Sequence, residues 1–313
     1  MSEATTEKPI LDFPEGHKSG FVALVGRPNV GKSTLMNALL TQKIAIVTPR
    51  PQTTRTRQLG IITEPNYQMV FVDTPGLIQN PRHKLDEFML QTAVDTLNDA
   101  DIVLWLLDGS ELPGPHEQQI AETMRQLSDS KVILGINKAD ALTPDQVIPH
   151  SEAYRALLPD APWLLFSALH RHGVAELLQM LIEALPAGPR YYPEDQITDV
   201  FVRDIAAEMI REQIFLQLQD ELPYSTAVRV EAFKERPNGI TYISANIFVE
   251  RDNHKKMLIG KKGARLRAIG AAARQEIEKL VDGKVFLELW IKVEPKWRRR
   301  DNSLRRLGYS MEQ

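Results

Sequence analysis

Short apolar or β-rich runs alternate with stretches of helical period from Phe21 to Leu185. Phe21–Val25, Tyr67–Val72, Ile102–Leu107, Val132–Ile136 and Trp163–Phe166 carry little of the strict alternation expected of a half-exposed strand, and so predict strands buried on both faces. Between them, the segments 34–40, 85–97, 117–127, 146–157 and 174–185 read as helices. Gln58–Ile62 precedes Thr63-Glu64-Pro65-Asn66 and then Tyr67–Val72, which predicts a hairpin. This alternation predicts a mostly parallel sheet with helices on both faces, a fold that binds ligands at the carboxyl ends of its strands.

The pattern breaks at Pro186-Ala187-Gly188-Pro189-Arg190-Tyr191-Tyr192-Pro193, where prolines and glycine end the last helix. The two tyrosines are placed to pack on either side of the break. A second, α+β unit follows. The segment 199–218 has an apolar helical face of Val202, Ile205, Ile210 and Ile214. The runs 227–233 and 240–249 read as strands joined by the turn Arg236-Pro237-Asn238-Gly239. Met257, Leu258 and Ile259 lead into Gly260-Lys261-Lys262-Gly263, then a helix over 264–280 and a last strand over 285–293.

Composition narrows the chemistry. The 313 residues include no cysteine, which excludes disulfides, thiolate metal sites and cysteine nucleophiles, and 43% are hydrophobic, enough for sizeable cores. The net charge of −3 conceals an asymmetry. From Arg251 onward basic residues outnumber acidic ones about two to one, and the remainder is acidic, so a nucleic acid or an anionic surface is the expected partner of that end. Glu3, Glu7, Asp12 and Glu15 make the N-terminus unlike a signal peptide and more like a mobile tail. No apolar run approaches the length of a membrane span.

The chemistry sits where the strands end. After Val25 comes Gly26-Arg27-Pro28-Asn29-Val30-Gly31-Lys32-Ser33, followed by Thr34 and a helix. This is the phosphate-loop pattern: glycines let backbone N–H groups ring the phosphates, Lys32 reaches the terminal phosphates, and the Ser33 hydroxyl is placed to ligate Mg²⁺. After the third predicted strand stands Asp73-Thr74-Pro75-Gly76, in which Asp73 is the candidate to hold Mg²⁺ through water and Gly76 to bring its N–H close to the γ-phosphate. Asn137-Lys138-Ala139-Asp140 supplies base specificity: a carboxylate accepts two hydrogen bonds from guanine, and adenine offers no such pair. Asn137 is placed to hold the loop and meet the base edge, and the stem of Lys138 to cover a ring face. Ser167-Ala168 follows the next strand, with the Ala168 N–H placed to meet the guanine carbonyl.

The ordered set GRPNVGKS, QTTR, DTPG, NKAD and SAL resembles a translation-factor-related GTPase. The resemblance implies that Thr54 is the metal-ligating switch threonine, so that Lys32, Thr54 and Gly76 surround the reacting phosphate. It puts Leu77 where Ras-like proteins place a water-orienting glutamine, which implies another positioning device. Asn29 matches an asparagine that helps bind K⁺ in several relatives; a plain turn asparagine is the other reading.

The second unit resembles a type II KH domain, whose GxxG clamps the backbone of about four nucleotides. Ile259, Gly260, Lys261, Lys262, Gly263 and Arg265 are then the candidate RNA contacts. A GTPase followed by one KH domain resembles the Era family of ribosome-assembly GTPases, as do Glu221-Leu222-Pro223-Tyr224-Ser225, Phe248-Val249-Glu250-Arg251 and Leu304-Arg305-Arg306-Leu307-Gly308-Tyr309. The longer N-terminal tail and Arg298-Arg299-Arg300 depart from that pattern.

The division expected is a mobile tail over 1–18, a GTP-binding domain over 19–188, a linker over 189–198 and a KH domain with a basic C-terminal tail over 199–313. The resemblance implies a monomeric, cytoplasmic GTPase with GTP, GDP and Mg²⁺ as ligands, K⁺ near Asn29, and the 3′ region of 16S ribosomal RNA in the small subunit as partner. Two other readings stay open from the residues alone. One is a constitutive RNA-binding module stabilised by nucleotide. The other is a peripheral GTPase whose basic end meets anionic lipid at the cytoplasmic face of the inner membrane.

Overall fold

The computed structural model describes Pro14 and residues 16–51, 53–76, 81–126 and 131–309. Most of the expected N-terminal tail, Gln52 and Leu77 lie outside the described residues.

The first domain contains β1 (Lys18–Val25), α1 (Lys32–Leu40), β2 (Gln58–Glu64), β3 (Tyr67–Asp73), α2 (Lys84–Asp99), β4 (Ile102–Asp108), α3 (Pro115–Arg125), β5 (Lys131–Asn137), α4 (Pro144–Arg155), β6 (Trp163–Leu165) and α5 (Val174–Ala184). The strands lie in the order β2-β3-β1-β4-β5-β6. All neighbours are parallel except the hairpin β2–β3. Side chains of a strand alternate between faces. Val22 and Leu24 of β1 therefore join Leu35 and Met36 of α1 and Leu177 and Leu181 of α5 on one side. Ala23 and Val25 meet Leu97 of α2, Ile120 and Met124 of α3 and Tyr154 of α4 on the other. Burial on both faces is why these strands read as continuous apolar runs. Because β1, β3, β4, β5 and β6 are parallel, their carboxyl ends share one rim.

Residues 189–198 lie along the free edge of β2. The N–H groups of Leu59 and Ile61 donate to Asp199 Oδ1 at 3.1 Å and to the Ile197 carbonyl at 2.9 Å. Gln68 Oε1 accepts the N–H groups of Tyr191 and Tyr192 at 2.6 and 2.9 Å, and the Tyr191 ring lies 5.1 Å from that of Phe21. Both tyrosines thus pack on the first domain, and the linker covers backbone that would otherwise be an open sheet edge.

The second domain contains α6 (Val202–Gln217), β7 (Ala227–Glu235), β8 (Ile240–Val249), α7 (Asp252–Ile259), α8 (Ala264–Leu280) and β9 (Lys284–Val293). β7 and β8 are antiparallel, with a bulge between Val230 and Ala232, and β8 and β9 are parallel. Ile243, Ala245, Ile247 and Val249 of β8 are buried with Ile210 and Ile214 of α6 and Ile269, Ala273 and Ile277 of α8. The short segment around Met257 forms the helix α7.

The expected basic tail is instead folded. A turn over Trp297–Arg299 and the helix α9 (Asp301–Arg306) return to the molecule. Trp297, Leu304, Leu307 and Tyr309 are buried with Leu85 and Met89 of α2 and with Ala227 and Phe248 of the second sheet. Trp297 Nε1 donates to the Ser225 carbonyl at 2.9 Å. Of the Arg298-Arg299-Arg300 cluster, Arg298 pairs with Glu250 at 2.7 Å while Arg299 and Arg300 are exposed, and Arg306 of α9 pairs with Glu294 at 2.6 Å. Among the described residues no helix is long and apolar enough to cross a membrane.

Candidate functional site

The loop from Gly26 to Ser33 turns around its own backbone at the rim. Gly26 has φ of 149° and Gly31 of 103°. A Cβ on Gly31 would stand 2.2 Å from Asn137 Nδ2, and one on Gly26 2.3 Å from the Leu106 carbonyl oxygen. Only glycine satisfies both the left-handed backbone and the space. Lys32 is buried and donates to the carbonyls of Gly26 at 3.1 Å and Arg27 at 3.0 Å, which arches the loop over it. Burial pulls its ammonium down to about 8, against the charge of Asp73. Burial likewise pushes Asp73 up to about 6, against Lys32 and the hydroxyls of Ser33 and Thr54. The two opposite charges thus sit buried side by side beneath the loop, each partly offsetting the other's burial.

Ser33, Thr54 and Asp73 converge. Ser33 Oγ donates to Asp73 Oδ2 at 2.5 Å and lies 3.0 Å from Thr54 Oγ1, while Thr54 Oγ1 is 3.5 Å from the same carboxylate oxygen. Among the described residues Asp73 Oδ1 has no hydrogen-bond partner, and it is buried. Two hydroxyls and a carboxylate with an unsatisfied oxygen are a hard-oxygen donor set, and they fit Mg²⁺. Gly76 lies against the phosphate loop, since a Cβ there would sit 2.7 Å from Pro28 N. Asn29, at φ 66°, donates through Nδ2 to the Pro49 carbonyl at 2.9 Å and so bridges the loop to the segment carrying Thr54. Thr34 lines the same depression. Val30 and Pro75 are buried, and Thr74 Oγ1 donates to the Leu24 carbonyl at 2.9 Å, so these three hold the loops from behind.

Some side chains point elsewhere than expected. The guanidinium of Arg27 is engaged by Glu111 and Glu117, leaving only its backbone toward a phosphate. The Ala168 N–H donates to Asn137 Oδ1 at 2.9 Å, and Asn137 Nδ2 donates to the Val30 carbonyl at 2.8 Å. Asn137 thus ties the base-side loop to the phosphate loop, and the Ala168 N–H expected at the guanine carbonyl is committed to that tie. Lys138 Nζ is fixed by Asp108 Oδ2 at 2.5 Å. Ser167 Oγ donates to Asp140 Oδ1 at 2.5 Å, which orients an exposed carboxylate at the rim.

Sequence reasoning missed Asp108, whose only signal is an acid at the end of a buried strand, and it missed Arg55. Thr54 faces Ser33 and Asp73, whereas its neighbour Arg55 enters the second domain. Arg55 is buried, donates to the carbonyls of Thr226 at 2.7 Å and Tyr224 at 2.8 Å, and has the rings of Trp297 and Tyr309 at 5.7 and 5.9 Å. Arg211 of α6 donates to the Thr53 carbonyl, and Glu212 accepts the Val47 N–H at 2.9 Å and pairs with Lys43 at 2.6 Å. The segment that carries Thr54 is thus bonded to the second domain at Lys43, Val47, Thr53 and Arg55.

The GxxG connects α7 to α8. Gly260 has φ of 69° and Gly263 of 76°, and Lys262 is also left-handed at 49°. A Cβ on Gly260 would lie 2.8 Å from Arg265 Cβ. Lys261 and Lys262 are exposed, Ile259 is half-buried, and Arg265 donates to the Met257 carbonyl at 2.7 Å. The loop therefore presents backbone and two exposed cations at the start of an α-helix.

Residues 21–138 match the family described as 50S ribosome-binding GTPase, and residues 221–298 match the KH domain family. GTPase Era of Ruminiclostridium cellulolyticum is 43% identical over 293 residues, which cover 94% of this chain and 98% of that protein. GTPase Era of Nostoc sp. is 46% identical over 314 residues, 100% of this chain and 96% of that protein. A crystal structure of Era with MgGDPNP and nucleotides 1506–1542 of 16S ribosomal RNA superposes with a TM-score of 0.90 at 38% identity, covering 94% of this chain and 100% of that one. The fold and its rim thus define a GTPase joined to a KH domain. The chain belongs to the Era GTPase family.

Proposed function

We propose that this chain is a GTP-hydrolysing switch that binds the 3′ region of 16S ribosomal RNA through its KH domain and acts in assembly of the small ribosomal subunit. The observation that carries the reading is the placement of Thr54 and Arg55. Consecutive residues face the triphosphate site and the RNA-binding domain, so a change at one is felt at the other. Mg²⁺ held by Ser33, Thr54 and Asp73 would neutralise charge on the β- and γ-phosphates. Lys32 stabilises the same phosphates, the Gly76 N–H approaches the γ-phosphate, and Asp140 selects guanine. Loss of the γ-phosphate removes what holds Thr54 inward, and Arg55 and Thr53 pass that freedom to Thr226, Tyr224 and Arg211.

Asn29 supports a role for K⁺ beside the phosphates, since it already joins the phosphate loop to the switch segment; faster hydrolysis in K⁺ than in Na⁺, abolished by Asn29→Ala, is the expected result. The proposal as a whole is tested by crosslinking the protein to purified small ribosomal subunits. Crosslinks to the 3′ end of 16S RNA should be strong with a non-hydrolysable GTP analogue and weak with GDP. Equal crosslinking in both states would leave a constitutive RNA-binding module.

A further inference from the structure

Helices α6 and α8 cover only one face of the β7–β8–β9 sheet. On the other face, Phe248 and Asn246 are buried at the end nearest α9, with the Arg306 guanidinium 5.9 Å from the Phe248 ring. The rest of that face is open and aromatic. Phe286 is 53% and Trp290 56% exposed, an unusual placement for two large rings on one strand. The Phe286 ring stacks on Tyr242 from the neighbouring strand, with centroids 6.1 Å apart and planes 24° from parallel. Arg236 lies 4.5 Å from the Tyr242 ring and 5.5 Å from Phe286.

The charges on this face are arranged for a polyanion. Residues Lys284, Phe286, Glu288, Trp290 and Lys292 share one side of β9 by the two-residue period, and the register puts Lys234 of β7 opposite Tyr242. Two carboxylates share the face, each hydrogen-bonded to a neutral donor: Glu288 accepts the Tyr242 hydroxyl at 2.7 Å, and Glu231 accepts Asn246 Nδ2 at 2.8 Å, and the cations Arg236, Lys234, Lys284 and Lys292 outnumber them. Lys234, Lys284 and Lys292 are exposed, and among the described residues none of them has an ion-pair partner. Solvated lysines on an edge strand by themselves would only guard against strand pairing. Lysines interleaved with exposed rings and an arginine lying over two of them match the stacking-and-phosphate chemistry of single-stranded nucleic acid.

The position fits as well. The inner side of β9 packs on α8, the helix that starts at the GxxG; Leu289 lies against Gly270. β9 is the edge of its sheet. The helix that starts at the GxxG and the edge strand β9 are thus neighbours, and past that edge lies the aromatic face.

We propose that the open face of the second sheet, centred on Tyr242, Phe286, Trp290 and Arg236, is a second RNA-contacting surface that takes unpaired nucleotides flanking the stretch held at Gly260–Gly263. This rests on the RNA-binding reading of the GxxG. Bases stack on Phe286 and Trp290, and Lys234, Lys284 and Lys292 meet the phosphates.

The test uses the full chain loaded with a GTP analogue and two RNAs: an oligonucleotide of KH length, about four nucleotides, and the same sequence extended by unpaired residues on both sides. The wild type should bind the extended RNA roughly tenfold or more tightly than the short one, as stacking of even one base allows. Phe286→Ala and Trp290→Ala should lose most of that gain and bind the short RNA as the wild type does, with unchanged melting curves because both side chains are exposed. Trp290→Phe should keep the gain. The extended RNA should quench tryptophan emission in the wild type and not in Trp290→Phe. No gain from extension, or a gain untouched by the alanine variants, overturns the proposal. If those variants bind both RNAs normally but lose small-subunit binding, the face contacts a protein and the RNA assignment falls. Unchanged short-RNA affinity in Lys261→Asp/Lys262→Asp would instead refute the GxxG reading, while the extension gain still reports on this face.

Discussion

On the proposed reading, Asp140 is the exposed carboxylate that selects guanine. Its oxygen is oriented by Ser167, which is itself buried, so the side chain loses little freedom when a base arrives. Replacing it by asparagine swaps an acceptor for a donor where guanine presents two donors. Asp140→Asn should weaken GTP binding by roughly a hundredfold or more and shift preference toward xanthine nucleotide, whose carbonyl accepts the new donor. Competition between GTP and XTP reads this directly, and undiminished GTP preference would remove Asp140 from the base site. Lys32→Ala should remove turnover, since on the proposed reading the buried ammonium under the arch stabilises the terminal phosphates; phosphate release at saturating GTP measures it. At this scale the sequence was most informative where spacing itself is the chemistry, as in Gly26, Gly31, Lys32, Ser33 and Asp73. It could not show that Arg27 turns to Glu111 and Glu117, or that the Ala168 N–H is bonded to Asn137, because both depend on which residues distant in the chain lie within reach.

The switch segment is the element through which the two domains meet. Arg55 is a buried cation held by two carbonyls and flanked by two rings, so its removal leaves the Thr226 and Tyr224 carbonyls unpaired in a dry interface. Arg55→Ala should cost about 2–4 kcal/mol of stability, read as a fall in melting temperature. It should also narrow the difference in RNA affinity between GTP analogue and GDP, because Thr54 then keeps an anchored neighbour only on its Thr53 side, through Arg211. A full nucleotide dependence surviving in a folded Arg55→Ala protein would place the coupling elsewhere, on Arg211 or Glu212. The regular elements of both domains were legible as apolar runs and helical periods. α9 was not, because its six residues are too few for a period and the arginines around it read as solvated. What folds it is the groove between α2 and the second sheet, which Trp297, Leu304, Leu307 and Tyr309 fill, and that groove exists only once both domains are in place.

Across the whole molecule, charge is divided as the two ligands require. The nucleotide domain is net acidic, with its cations placed individually, whereas the KH domain carries the basic excess and exposes Lys261 and Lys262 at its GxxG. On the proposed reading, Lys261→Asp/Lys262→Asp puts two negative charges where RNA phosphates would pass and leaves Gly260 and Gly263 to form the turn. Repulsion and lost counterion release act in the same direction, so RNA affinity should fall by at least about tenfold at moderate salt. The slope of log affinity against log salt should also flatten by about 0.7 for each phosphate contact removed from a single strand. GTP affinity should stay as in the wild type, because the loop lies on the other domain from the phosphate site and, among the described residues, its lysines are bonded to nothing in the switch. A mere surface turn would tolerate both changes with no effect on RNA. A folded double variant with wild-type RNA affinity and an unchanged salt slope would therefore exclude the GxxG as the RNA site. Loss of GTP binding with an unchanged melting curve would mean that the Arg55 interface transmits in both directions even without RNA, as reciprocal linkage between two sites on one switch permits.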